Sequence, residues 1–115
     1  MALGFDTACF ILLDKIKRIL GKKIKLIACV PCKGQDKYFN EEQKNVYGKM
    51  IERADKVIVL SQNYTADCML KRNRFMVDNS SLVVYYVTKT NGGSYYTKNY
   101  AETNGVKVIS WEKVL

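Results

Sequence analysis

Residues 24–60, IKLIACVPCKGQDKYFNEEQKNVYGKMIERADKVIVL, decide the architecture. IKLIACV is a short apolar run bounded by lysines and by Pro31, the pattern of a buried strand. FNEEQKNVYGKMIERA reads as a helix: Asn40 is placed to cap it, and Glu41 and Glu42 stand in its first turn, where the positive end of the helix dipole favours carboxylates. KVIVL, residues 56–60, is a second buried strand. A helix between two strands predicts a parallel pair, since a crossover of this length is what parallel neighbours require.

The alternation continues in both directions. Upstream, Cys9, Leu12, Leu13, Ile16, Ile19 and Leu20 recur at helical spacing, with Asp14, Lys15, Lys17 and Arg18 opposite them. This predicts an amphipathic helix over residues 7–20, capped by Asp6 or Thr7 and ended by Gly21, with an apolar face that needs a surface to cover, most simply a partner copy. Downstream, Thr65 or Asp67 opens a third helix through ADCMLKRNRFMVDNS. LVVYYV, residues 82–87, is a third strand, TKTNGG a loop, SYYTKNYAETNG a fourth helix ending near Gly105, and KVISW a fourth strand. The order α-β-α-β-α-β-α-β predicts an α/β fold with a parallel sheet flanked by helices. A length of 115 residues predicts one domain, 1–115.

Composition narrows the functional classes. With 48% hydrophobic residues, one proline and 26% charged residues, the chain is of ordinary globular type. No apolar run approaches a membrane span, and MALGFD carries no basic n-region or cleavage site, so a cytoplasmic protein without a membrane partner is expected. The absence of histidine removes Ser-His and Cys-His catalysis. Of the cysteines Cys9, Cys29, Cys32 and Cys68, only CVPC has CxxC spacing; with no second pair, no metal site is expected. CVPC leads into KGQDKYFN, read as a loop, so buried or loop thiols are expected rather than a redox pair at a helix start. A net charge of +8 favours anionic partners, with phosphate-bearing small molecules and a nucleic-acid groove both compatible.

Parallel sheets bind ligands beyond the carboxyl ends of their strands. CVPCKGQDKYF, LSQNYTADCM and VTKTNGGSYYT leave such ends. In the last, Gly92-Gly93-Ser94 opens a helix, and paired glycines let a backbone approach an anion that the free amides and the helix dipole then hold. A turn that only needs positive φ explains the same pair. Gly4 and Asp6 stand at the entrance of the first helix; Asp6 fits either an N-cap or an acceptor for ribose hydroxyls. In MLKRNRFMVD, residues 69, 72, 73 and 76 share a helical face, which turns Arg72 and Asn73 toward the sheet with two methionines. An inward arginine needs an anion, either a protein carboxylate such as Asp78 or a ligand phosphate.

MALGFDTACF, PCKGQDKYF, YTADCMLKRNRFMVD and GGSYYTKNYA, in that order, resemble the YpsA-like family of the SLOG superfamily, Rossmann-like domains similar to DprA and to the LOG phosphoribohydrolases. The resemblance implies a nucleotide-type ligand site built from Gly4 and Asp6, from Arg72 and Asn73, and from Gly92 and Gly93. Cys32 and Gln35, in PCKGQDKYF, and Ser94 complete the expected ligand-binding set. LOG hydrolases resemble one another in a PGGxGTxxE segment whose glutamate serves catalysis, whereas GGSYYTKN ends in Asn99, so no catalytic residue is assigned and no cofactor is expected. YpsA-like proteins also carry a strand, a helix and a strand before the glycine-acid loop. Their absence before MALGFD leads to the expectation of an N-terminally truncated Rossmann-like sheet and a homo-oligomer. The reading is therefore a binding module for a nucleotide or ADP-ribose-like ligand, which senses or sequesters a nucleotide signal. Its rivals are a nucleoside-monophosphate phosphoribohydrolase, with Asp6 or Glu102 as the carboxylate, and a DprA-like single-strand DNA binder.

Overall fold

The computed structural model describes residues 5–20, 24–87 and 90–111, the side chains of Phe5 and Asp6 excepted. Its elements follow the predicted order: α1 (Phe5–Leu20), β1 (Ile27–Val30), a 3-10 turn (Gln35–Tyr38), α2 (Glu41–Arg53), β2 (Lys56–Val59), α3 (Cys68–Asp78), β3 (Leu82–Tyr85), α4 (Gly93–Thr103) and β4 (Lys107–Ser110). The chain forms two compact units, Met1–Thr65 and Ala66–Leu115. Each contains one parallel strand pair. β1 lies beside β2 with Ile27 opposite Lys56 and Val30 opposite Val59. β3 lies beside β4 with Leu82 opposite Lys107 and Tyr85 opposite Ser110.

In the first unit the core is Phe10 of α1, Leu26 and Ala28 at β1, and Met50 of α2, with Val46, Tyr47 and Ile51 packed around them. Asn40 caps α2 as predicted. Its side chain accepts from Gln43 N–H at 2.8 Å, and Gln43 Oε1 accepts from Asn40 N–H at 3.0 Å, a reciprocal capping box. β1 is shorter than the apolar run that encodes it. Asp55 explains this: its Oδ2 accepts from Leu26 N–H at 2.6 Å while its own N–H donates to Leu26 O at 2.7 Å, so a side chain takes the place of a ladder partner where pairing begins. The strands are also not buried on both faces. Ala28 and Val30 are buried, whereas Ile27, Val57 and Val59 are exposed. The register places Val57 and Val59 on the same face as Ala28 and Val30, so that face is covered over β1 and open over β2.

Helix α1 departs most from expectation. It is described from Phe5, so Asp6 and Thr7 lie within the helix rather than at an N-cap position before it. Gly21, its expected stop, lies outside the described residues. Its apolar stripe is left for a further surface: Leu12, Leu13, Ile19 and Leu20 are exposed, with Ile19 at 83%. The buried face instead carries Phe10 and Asp14, four residues apart. Asp14 is bound by Arg18 at 3.1 Å and Arg53 at 2.9 Å, and Lys17 reaches Asp55. These ion pairs join the charged face of α1 to α2 and the segment after it. Periodicity located the helix; the face it buries carries Phe10 of the core together with the ion-paired Asp14.

In the second unit α3 packs against α4 through polar contacts. Arg74 Nε donates to Tyr96 Oη at 2.9 Å, and Tyr100 Oη donates to Asp78 Oδ1 at 2.9 Å. α4 ends in a Schellman arrangement: Val106 N–H donates to Ala101 O at 2.9 Å, Gly105 N–H donates to Glu102 O at 3.1 Å, and Gly105 holds φ 74°. Among the described residues no helix is long and apolar enough to cross a membrane.

Candidate functional site

The loops that leave β1 and β2 at their carboxyl ends are joined. Leu60 N–H donates to Val30 O at 3.0 Å, and Lys33 N–H donates to Ser61 O at 2.9 Å. Between them Pro31 and Cys32 are buried, and Gly34 turns the chain with φ 75° into the 3-10 turn that starts at Gln35. KGQDKYFN is thus an ordered turn rather than the plain loop expected. Cys29 lies inside β1 and Cys32 just after it, so this CxxC does not sit at the start of an α-helix, and none of the four cysteines is in a disulfide. Tyr47, edge-on to Phe39 at 5.8 Å, has its hydroxyl pKa raised by burial and then by Asp36 and Cys32 nearby. The loop is consequently packed against α2. Cys32 is buried there and Gln35 half-buried.

In the second unit the candidate residues fall into two groups. On α3, Arg72 is 3% exposed and its Nε donates to Asn73 Oδ1 at 2.7 Å, so Asn73 fixes the orientation of a buried guanidinium. The inward arginine is as expected, but its companions are not. Met69 and Met76 are exposed, and the buried residues of α3 are Cys68, Arg72 and Val77. Asp78, one candidate anion for Arg72, accepts from Tyr100.

The second group opens α4. Gly92 holds φ 92° and ψ 178°, a region open essentially only to glycine, and Gly93 and Ser94 are the first two helical residues. Gly92 offers no side-chain cap, so among the described residues no N-cap side chain accepts from the first amides. Among the described residues, a Cβ placed on Gly93 would meet nothing within 4 Å. The backbone is therefore bare where it carries the positive end of the dipole, the arrangement that receives anions. Gly4 lies outside the described residues, as does the side chain of Asp6.

Sequence reasoning passed over one cluster. The Arg74 guanidinium stands 5.4 Å from the Tyr96 ring and 5.9 Å from the Tyr100 ring, and the two rings are stacked with their centroids 6.4 Å apart. The four-residue spacing of the tyrosines on α4 was the available signal. Tyr100 has its hydroxyl pKa raised, first by the hydrogen bond to Asp78. Among the described residues no group of three or more potential metal ligands occurs.

Parallel strands alternating with helices, with a glycine-opened helix after a strand end, define an α/β chain of Rossmann-like type. The chain matches the model of the YspA SLOG family over residues 1–110 and belongs to that family. It is also similar to the uncharacterized SPbeta prophage-derived protein YoqJ of Bacillus subtilis (strain 168), at 32% identity over 117 residues, covering 88% of this chain. The chain spans 66% of that relative's length.

Proposed function

We propose that this chain binds a nucleotide or nucleotide-derived, ADP-ribose-like ligand and acts by sensing or sequestering it. The observation that carries the reading is the opening of α4: a glycine in a glycine-only conformation and, among the described residues, open space over a second glycine and no side-chain cap on the first amides. Ser94 extends that surface, and Arg72, oriented by Asn73, is the charged group proposed to answer a phosphate. Family membership supports a Rossmann-like ligand-binding fold. Gly4, Asp6, Cys32 and Gln35 are proposed as further ligand contacts on the resemblance alone. The prophage origin of YoqJ favours a setting in conflict between phage and bacterium, with the protein in the cytoplasm. We also propose that it works as a homo-oligomer.

Calorimetry against nucleoside monophosphates, diphosphates, ADP-ribose and cyclic ADP-ribose isomers tests the reading. Binding of at least one is expected. Gly93→Val should weaken it roughly tenfold or more, about 1.4 kcal/mol, by filling the space a phosphate needs. No described residue stands within 4 Å of an added Cβ, so Gly93→Val should keep the parent's melting temperature, and its effect on binding then reports on the ligand. Absence of binding across the panel by folded protein overturns the proposal, and unchanged binding in Gly93→Val moves the site elsewhere. Base release from a nucleoside monophosphate would instead establish the hydrolase.

A further inference from the structure

The first unit holds a groove of about 560 Å³ between α1 and α2 that the ligand reading does not use. Its apolar lining is Phe10, Ile11, Val46 and Met50; around these stand Lys15, Arg18, Lys49 and Arg53, against two carboxylates, Asp14 and Glu52. Asp14 does not offset the rim evenly. It is buried and engaged by both arginines, Arg53 through Nε and Nη2 and Arg18 through Nη2. The two arginine side chains nevertheless keep 46% and 62% of their exposure. Each guanidinium has five N–H donors, so donors remain outward on groups whose position Asp14 fixes. Lys15 and Lys49 are exposed on the same rim.

We infer that this groove docks an acidic amphipathic helix of a partner protein, with apolar side chains between α1 and α2 and carboxylates on Arg18, Arg53, Lys15 and Lys49. An apolar floor with a charged rim is the form in which helices are received in grooves, through anchors one turn apart. Charge decides the occupant. The lining carries four cations against two carboxylates, and the whole chain carries +8, so a second copy would bring like charge to the rim. A helix rich in glutamate meets complementary potential and finds donors already held in place. Asp14 is here a positioning residue, acting through the two arginines.

The test uses the full chain and a fluorescein-labelled synthetic helix of about five turns, with leucines at i, i+3, i+4 and i+7 and glutamates at the solvent positions. Two control peptides keep the glutamates but replace leucine by glutamine, or keep the leucines but replace glutamate by lysine. Anisotropy should show saturable binding of the first peptide alone. Lys15→Glu with Lys49→Glu should weaken it roughly tenfold or more while leaving the melting temperature unchanged, since both lysines are exposed. No saturable binding of the first peptide overturns the inference. So does equal binding of the leucine-free peptide, which would reveal attraction by net charge alone. A change of oligomeric state in the double variant would place a second copy in the groove and overturn it as well.

Discussion

Two carboxylates in the first unit are held below their ordinary pKa near 3.8: Asp14, chiefly by its hydrogen bond from Arg53, and Asp55, chiefly by Lys17 and then by Leu26 N–H. A carboxylate whose folded pKa is depressed adds stability that is fully present above its unfolded pKa. That contribution is lost as pH falls through the lower, folded value. Melting temperature followed from about pH 7 to pH 2 should therefore hold steady until about pH 4 and then fall. In Asp14→Asn with Asp55→Asn the neutral melting temperature should be lower and the acid decline shallower. Equal slopes would show that these pairs contribute nothing. Neither partner choice was legible beforehand. Asp14 reads as one residue of a solvated helix face, and only the fold brings Arg53, thirty-nine positions away, to it.

Local chemistry made the elements legible, where it was strong. Asn40 with Glu41 and Glu42 spelled the start of α2, and Gly105 the end of α4, because caps are set by residues within a turn of one another. Boundaries set by distant residues were not legible. β1 starts late because Asp55, from the other side of α2, takes Leu26 N–H. The face α1 buries joins Phe10 to Asp14, whose partner Arg53 lies far along the chain, and the same limit hid the methionine positions on α3. In the candidate site the glycine pair announced the opening of α4 and RNR announced an inward arginine, while the stacking of Arg74 on two tyrosines required the α3–α4 contact. The cap at Gly105 gives a measurable consequence. A side chain there must adopt φ near 74°, so Gly105→Ala should cost about 1–2 kcal/mol in chemical denaturation, whereas Gly48→Ala, inside α2 with nothing near its Cβ, should stabilise by about 0.5–1 kcal/mol. Equal effects at the two glycines would rule out the cap.

For the whole molecule the outward stripe of α1 is the decisive feature. Leu12, Leu13, Ile19 and Leu20 on one helix are exposed, and such a contiguous aliphatic surface marks an interaction site more often than ordinary scattered exposure. It neighbours the groove-lining positions Ile11 and Lys15 without coinciding with them. The stripe itself contains no charge, so the like-charge repulsion that bars a second copy from the groove is weaker here. Two such stripes packed about a twofold axis would give an isologous, self-complementary contact. Light scattering at micromolar concentration should show a dimer of the 13.2 kDa chain. Leu12→Asp with Ile19→Asp should convert it to monomer with its melting transition broadly retained, because Ile19 at 83% exposure supports little of the fold. A monomeric parent protein defeats the homo-oligomer proposal outright. A dimer untouched by the double substitution keeps self-association but removes α1 from its interface.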